Sequence, residues 1–80
     1  MNNKEKYLNT FMEVFSVDAN TAKKLTYRKI PAWDSVGHMS LIAKIAEMFN
    51  VAMDPDDMLD FLSFDAGRRI LSAKYGICFD

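Results

Sequence analysis

The sequence holds one cysteine, Cys78. That rules out an internal disulfide and a cysteine-based zinc site, and leaves a reduced bystander thiol near the C-terminus. No apolar run approaches the length of a membrane span, and Met1-Asn2-Asn3-Lys4 opens without the apolar segment of a signal peptide. These absences predict a cytoplasmic protein with no membrane contact. There is a single histidine, His38, so serine chemistry that needs an imidazole base has to use it. No alternating strand pattern, internal repeat or low-complexity segment appears, which leaves helix as the one regular structure on offer.

What remains is 80 residues, half of them hydrophobic, with six Phe and six Met. That suffices for one globular domain over residues 1–80, near the lower size limit for burying its own core. Methionine packs adaptably and fills irregular gaps in a small core. The formal net charge of −1 is unevenly spread: residues 1–33 carry +3, residues 34–65 carry −6 and residues 66–80 carry +2. An acidic middle attracts basic partners and repels nucleic acid, although a surface made acidic by helix caps has the same composition.

Along the chain, Tyr7, Leu8, Phe11, Met12, Val14 and Phe15 form the apolar stripe of a first helix from about Lys4 to Phe15. Ser16-Val17-Asp18 ends it, and Asp18 or Asn20 caps a short helix through Leu25. The stretch to Trp33 reads as a loop with Lys23, Lys24, Arg28 and Lys29 in solvent. A second main helix spans Ser35 to about Asn50. Asp54-Pro55-Asp56-Asp57 starts a short third helix, to about Leu62, with an Asp cap, Pro at the first position and acids in the first turn. Ser63 caps a last helix, Phe64 to Tyr75, which ends at Gly76. The predicted class is all-α, three longer helices plus one or two short ones in a small bundle. Its core is read as Leu8, Phe11, Phe15, Ile42, Ile45, Phe49, Met53, Leu62, Phe64, Ile70 and Leu71, with Leu59 and Phe61 contributing.

The stretch Ala32 to Ile42 organises the rest. Pro31 discourages helix before it, and Asp34 stands as the cap of the amphipathic run that follows. Ser35 is then the first helical residue, its hydroxyl beside unpaired backbone N–H groups at a terminus that favours phosphate. At about 3.6 residues per turn, Val36, Met39 and Ala43 form a lip beside Ser35, bordered by Ser40 and Glu47. His38 lies three residues from Ser35, within reach on one helix face. A Ser-His hydrolase would also need an oxyanion hole and a pocket, and neither is visible. His38 is therefore read as a partly buried residue packing on the loop, and Trp33 as a core aromatic anchoring that loop. Gly37 in the first helical turn costs about 1 kcal/mol relative to Ala, which suggests tight packing there.

Trp33-Asp34-Ser35-Val36-Gly37-His38-Met39 resembles the Asp-Ser-Leu signature of acyl carrier proteins, in particular variants reading Trp-Asp-Ser-Leu-Gly-His. Leu41-Ile42, Glu47-Met48-Phe49, Val51–Met53 and Ser63-Phe64-Asp65 fall in register with that family, from Phe11 to about Ile77. The resemblance implies a four-helix bundle of acyl-carrier type, three longer helices plus a short third one, in a monomer that is not an enzyme. It implies that Ser35 carries 4′-phosphopantetheine, taken from coenzyme A by a phosphopantetheinyl transferase. That transferase supplies the base and the metal, and Asp34 helps it hold the serine. Acyl- or aminoacyl-loading and acyl-transferring enzymes would meet Val36, Met39, Ala43 and Glu47. Gly37 and Ser40 stand where the fatty-acid type is usually acidic, and Lys44 adds a positive charge. The resemblance thus points to a specialised pathway, and to faster housekeeping loading if Gly37→Asp and Ser40→Glu restore the acids. Asp34, Glu47, Asp56 and Asp57 remain as negative groups. A reading from another class is a noncovalent helical interaction module using the same lip.

Overall fold

The computed structural model describes residues 2–79. Five helices follow in order: α1 (Asn3–Phe15), α2 (Ala19–Ala22), α3 (Ser35–Phe49), α4 (Pro55–Asp60) and α5 (Phe64–Tyr75). The described residues contain no strand, so the domain is all-helical, with three longer helices and two short ones. The helix boundaries follow local side-chain chemistry. Asn2, Asp18, Asp34 and Ser63 each accept a hydrogen bond from the N–H three residues on, at 2.8–2.9 Å, satisfying donors that have no carbonyl within the helix. Ser16, Asn50 and Gly76 end α1, α3 and α5 in the left-handed conformation.

Asp54 departs from expectation. Its side chain makes no capping bond to α4. Pro55 still fits the first position, where a missing N–H costs nothing, and the Asp54 N–H donates to the Tyr75 hydroxyl at 2.9 Å. That hydroxyl donates in turn to Asp57 Oδ2 at 2.6 Å, and Lys74 Nζ donates to Asp57 Oδ1 at 2.6 Å. Asp57 is therefore a buried tie between α4 and α5 and offers no charge to a partner, contrary to its reading as a surface acid. The hydrogen bonds from Lys74 and then Tyr75 hold its carboxyl below the usual Asp value, and the same contact raises Lys74.

The centre is aromatic rather than methionine-rich, with Met53 the one methionine in the buried set. Phe11 is fully enclosed and touches Tyr7, Phe15, Trp33, Phe61 and Phe64, with ring centroids 5.0–6.4 Å apart. Tyr7 donates its hydroxyl to the Phe64 carbonyl at 2.7 Å, tying α1 to the start of α5, and burial pushes its ionisation well up. Leu41, Ile42, Ile45 and Leu71 complete the aliphatic wall. Leu8, Phe49 and Ile70, expected in the core, are partly buried and pack against its edge.

Two expected core residues, Leu59 and Leu62, face solvent. The reason at Leu62 is a change of period. α4 stops at Asp60, the chain turns at Phe61 (φ −79°, ψ 71°) and is extended at Ser63, so Leu62 leaves the helical stripe and faces out between buried Phe61 and Phe64. This short segment pairs with the loop before α3. Tyr27 N–H donates to the Leu62 carbonyl at 2.8 Å, Phe64 N–H to the Leu25 carbonyl at 3.0 Å, and Thr26 bridges Ser63 antiparallel. The loop that precedes Ser35 is thereby tied to the α4–α5 junction.

Candidate functional site

Ser35 opens α3 and is exposed, with Asp34 Oδ1 accepting from Gly37 N–H at 2.8 Å. As the first two helical positions, Ser35 and Val36 have N–H groups with no helix carbonyl to donate to, and they give this end partial positive charge. The sequence reading of Asp34 as the cap and of Ser35 as the first helical residue agrees with this geometry.

Three contacts fix the first turn. Gly37 lies against the Ala32 carbonyl so closely that a Cβ there would overlap its oxygen, with the carbonyl carbon at 3.1 Å and a Phe15 ring carbon at 3.4 Å. The tight packing suspected from the sequence is present, and the Gly37→Asp restoration is ruled out: the obstacle is backbone and cannot rotate away. Ser40 is exposed and remains substitutable. The second contact is Trp33, wholly buried, whose indole N–H donates to His38 Nδ1 at 3.0 Å. The rings lie nearly parallel, centroids 6.2 Å apart. Third, His38 Nε2 lies 2.8 Å from the Met58 carbonyl oxygen on α4. A carbonyl only accepts, so Nε2 carries the hydrogen and Nδ1 receives the indole's. Both imidazole nitrogens are committed, leaving no lone pair for the Ser35 proton. His38 ties the loop, α3 and α4 together, as its reading as a packing residue expected.

The partner of the serine is one the sequence did not reveal. Tyr27 Oη lies 3.4 Å from Ser35 Oγ. Its ring is held edge-on against His38 at 5.4 Å and Trp33 at 6.4 Å, and the Arg28 guanidinium lies 5.2 Å from its centroid. The hydrogen bond from Ser35, ahead of smaller effects from Arg28, lowers the Tyr27 ionisation below the usual phenol value. Arg28 has φ 66°, a left-handed turn that L-residues enter at a cost of about 1–2 kcal/mol, and its N–H donates to the Trp33 carbonyl at 3.0 Å. The turn brings Tyr27 back over the start of α3 from eight positions upstream. No periodicity announces such a contact.

Val36, Met39, Ala43 and Glu47 are all exposed along α3. Of the large hydrophobic side chains, Val36 is 76% exposed, Met39 58%, Leu59 72% and Leu62 47%. The His38–Met58 bond brings the α4 end beside the first turn of α3, and the Tyr27–Leu62 bond does the same for the α4–α5 junction. Exposed Asp34, Glu47, Asp54, Asp56 and Asp60 supply the acidic groups. A groove of about 580 Å³ is lined by Lys4, Tyr7, Leu8, Phe64, Arg68 and others, and takes no residue from α3. Among the described residues no group of three or more His, Cys, Asp or Glu is arranged to hold a metal, and no helix is long and apolar enough to cross a membrane. Compared with protein-family models, curated proteins and solved structures, the chain matches none.

Proposed function

We propose that this chain is a carrier protein that bears 4′-phosphopantetheine on Ser35 and holds acyl or aminoacyl groups for partner enzymes. The observation that carries the reading is an exposed serine at the first position of α3, directly after its Asp34 cap, with no base of its own. An unassisted hydroxyl is a poor nucleophile. Here the base and the metal come from the transferase, which Asp34, next to the serine in the chain, helps to hold Ser35. In the transfer, Ser35 Oγ forms a bond to the pantetheine-bearing phosphorus of coenzyme A. The phosphoanhydride bond to that phosphorus breaks, adenosine 3′,5′-bisphosphate leaves, and the Oγ proton passes to the transferase. The arm, once attached, supplies a thiol that carries cargo as a thioester. The fold is read as the acyl-carrier-type bundle, acting in the cytoplasm as a monomer without catalysis of its own.

Partner enzymes would meet Val36, Met39, Ala43 and Glu47, with Leu59 and Leu62 extending the apolar contact. Complementary charge mainly sets encounter rate and discrimination. With Gly37 required by packing and Ser40 uncharged, the lip gives basic patches less to grip than a fatty-acid carrier does, which favours a specialised pathway. A noncovalent interaction module could use the same exposed Val36, Met39, Leu59 and Leu62. Intact-mass measurement after incubation with coenzyme A and a broad-specificity transferase separates the two. The carrier reading expects one added phosphopantetheine on the wild type and none on Ser35→Ala. An unchanged wild-type mass would overturn it in favour of the interaction module.

A further inference from the structure

We infer that Tyr27 is the residue that holds the phosphodiester on Ser35, fixing the direction in which the attached arm leaves the domain. The inference rests on the carrier reading of Ser35 and goes beyond it by assigning a second residue to the site. In the unmodified chain the two hydroxyls are 3.4 Å apart, a long contact between neutral groups. A phosphodiester on Oγ changes the partner's chemistry. The bridging oxygen becomes a poor acceptor, while two bonds away the group brings anionic oxygens that accept strongly. A phenol donating to such an oxygen makes a charge-assisted hydrogen bond, roughly twice as strong as a neutral one.

The surroundings of Tyr27 suit that task. Its backbone is anchored through the Leu62 carbonyl, and its ring is wedged against Trp33 and His38, so the hydroxyl presented to Ser35 is already ordered. Little freedom is lost when it engages an anion. The charged or titratable groups around the phenol are Arg28 over the ring, Asp34 at the cap and His38 at the ring edge. Arg28 places a positive charge 5.2 Å from the centre of the Tyr27 ring. Asp34 has one oxygen committed to Gly37 N–H.

The test uses the full chain, with and without the transferase-added group, and reads Tyr27 directly. The three tyrosines are distinguishable: burial raises Tyr7, the bond to Asp57 raises Tyr75, and Tyr27 is lowered. On alkaline titration followed by tyrosinate absorbance, Tyr27 ionises first in the unmodified protein, and that step is missing in Tyr27→Phe, which keeps the ring contacts. Esterification also removes the Ser35 O–H that lowers Tyr27, so Ser35→Ala sets the baseline for that loss; in the modified protein the step moves to higher pH than in Ser35→Ala, because the phenolate then faces an anion. Phosphorus NMR gives the reciprocal signal. The phosphodiester does not itself titrate in this range, so its resonance moves with Tyr27 ionisation in the wild type and stays flat in Tyr27→Phe. Added mass, with a Tyr27 step no higher than in Ser35→Ala and a flat wild-type phosphorus resonance, overturns this inference alone. Absence of added mass overturns the carrier reading and this inference with it.

Discussion

Replacing Gly37 with alanine gives the sharpest test of how the site is built. In an exposed helix the substitution would stabilise by about 1 kcal/mol, because glycine has more backbone freedom to lose. Here the new Cβ meets the Ala32 carbonyl oxygen, and the carbonyl carbon and a Phe15 ring carbon stand at 3.1 and 3.4 Å. Overpacking of this kind costs about 1–3 kcal/mol, and a backbone obstacle argues for the upper end. After subtracting the propensity gain, the net loss is about 2 kcal/mol, equivalent to roughly 8–16 °C in melting temperature for a domain of this size. The loss should be visible beside the site as well. Ala32 precedes Trp33, the sole tryptophan, so fluorescence reports any displacement of the buried indole without interference. Ser40→Ala, exposed on the same helix, serves as the control and should stay within about 0.5 kcal/mol of wild type. A Gly37→Ala protein that melts at or above the wild-type temperature with unaltered tryptophan emission would refute the close approach of α3 to Ala32.

Phe11→Ala removes the ring on which five other aromatics converge and should cost about 3–5 kcal/mol, measured by urea unfolding; a loss below about 1 kcal/mol would show that the core has a different centre. Asp57 gives a pH signature, since its folded carboxyl binds protons less readily than an unfolded one, near the ordinary value of about 3.9. Its stabilisation is therefore present above that value and lost as pH falls through the lower folded one. The partner Lys74, raised by Asp57, contributes below the ordinary lysine value of about 10.4 and loses that contribution as pH rises through its folded value. Asp57→Asn should lower the melting temperature at neutral pH, and the gap to wild type should close in acid; a gap that persists unchanged at low pH would remove the charge from the explanation.

Much of this arrangement is legible in the sequence because helix ends are local affairs. Asp34, Ser63, Asn50 and Gly76 work within three to five residues of chain, and their chemistry is visible without knowing what packs against them. The same holds for Ser35, whose position follows from its cap. What could not be read depends on contacts between distant segments. Asp57 looks like an ordinary first-turn acid until Lys74 and Tyr75 arrive from α5. Leu62 reads as core on a helical period, and leaves it because the chain turns at Phe61 and is extended at Ser63, where it pairs with the loop at Leu25 to Tyr27. Tyr27 reaches Ser35 through a left-handed Arg28, a turn that carries no glycine to advertise it.

The spacing that would supply a hydrolase with its base is the spacing that removes the base here. His38 is three residues from Ser35, yet its ring is spent on the Trp33 indole and the Met58 carbonyl. With Gly37 seated on the Ala32 carbonyl, these bonds clamp the start of α3 to the preceding loop and to α4, and none of them uses the serine hydroxyl. The consequence for a carrier is mechanical. A group attached to Ser35 starts from a fixed point, so the freedom it explores belongs to the arm and not to the domain, and less order has to be imposed when a partner enzyme docks. Loosening the clamp should then harm partner reactions more than attachment itself, because a transferase meets the serine directly while later enzymes meet it through the arm. His38→Gln tests this on the modified protein. Its amide offers an acceptor and a donor but not the rigid ring that fixes both bonds and lies parallel to Trp33, so the clamp loosens, and the variant should accept phosphopantetheine at near the wild-type rate while loading cargo more slowly with a competent loading enzyme. If both rates fall together, with circular dichroism showing the helices intact, then the clamp serves the attachment step and the mechanical argument fails.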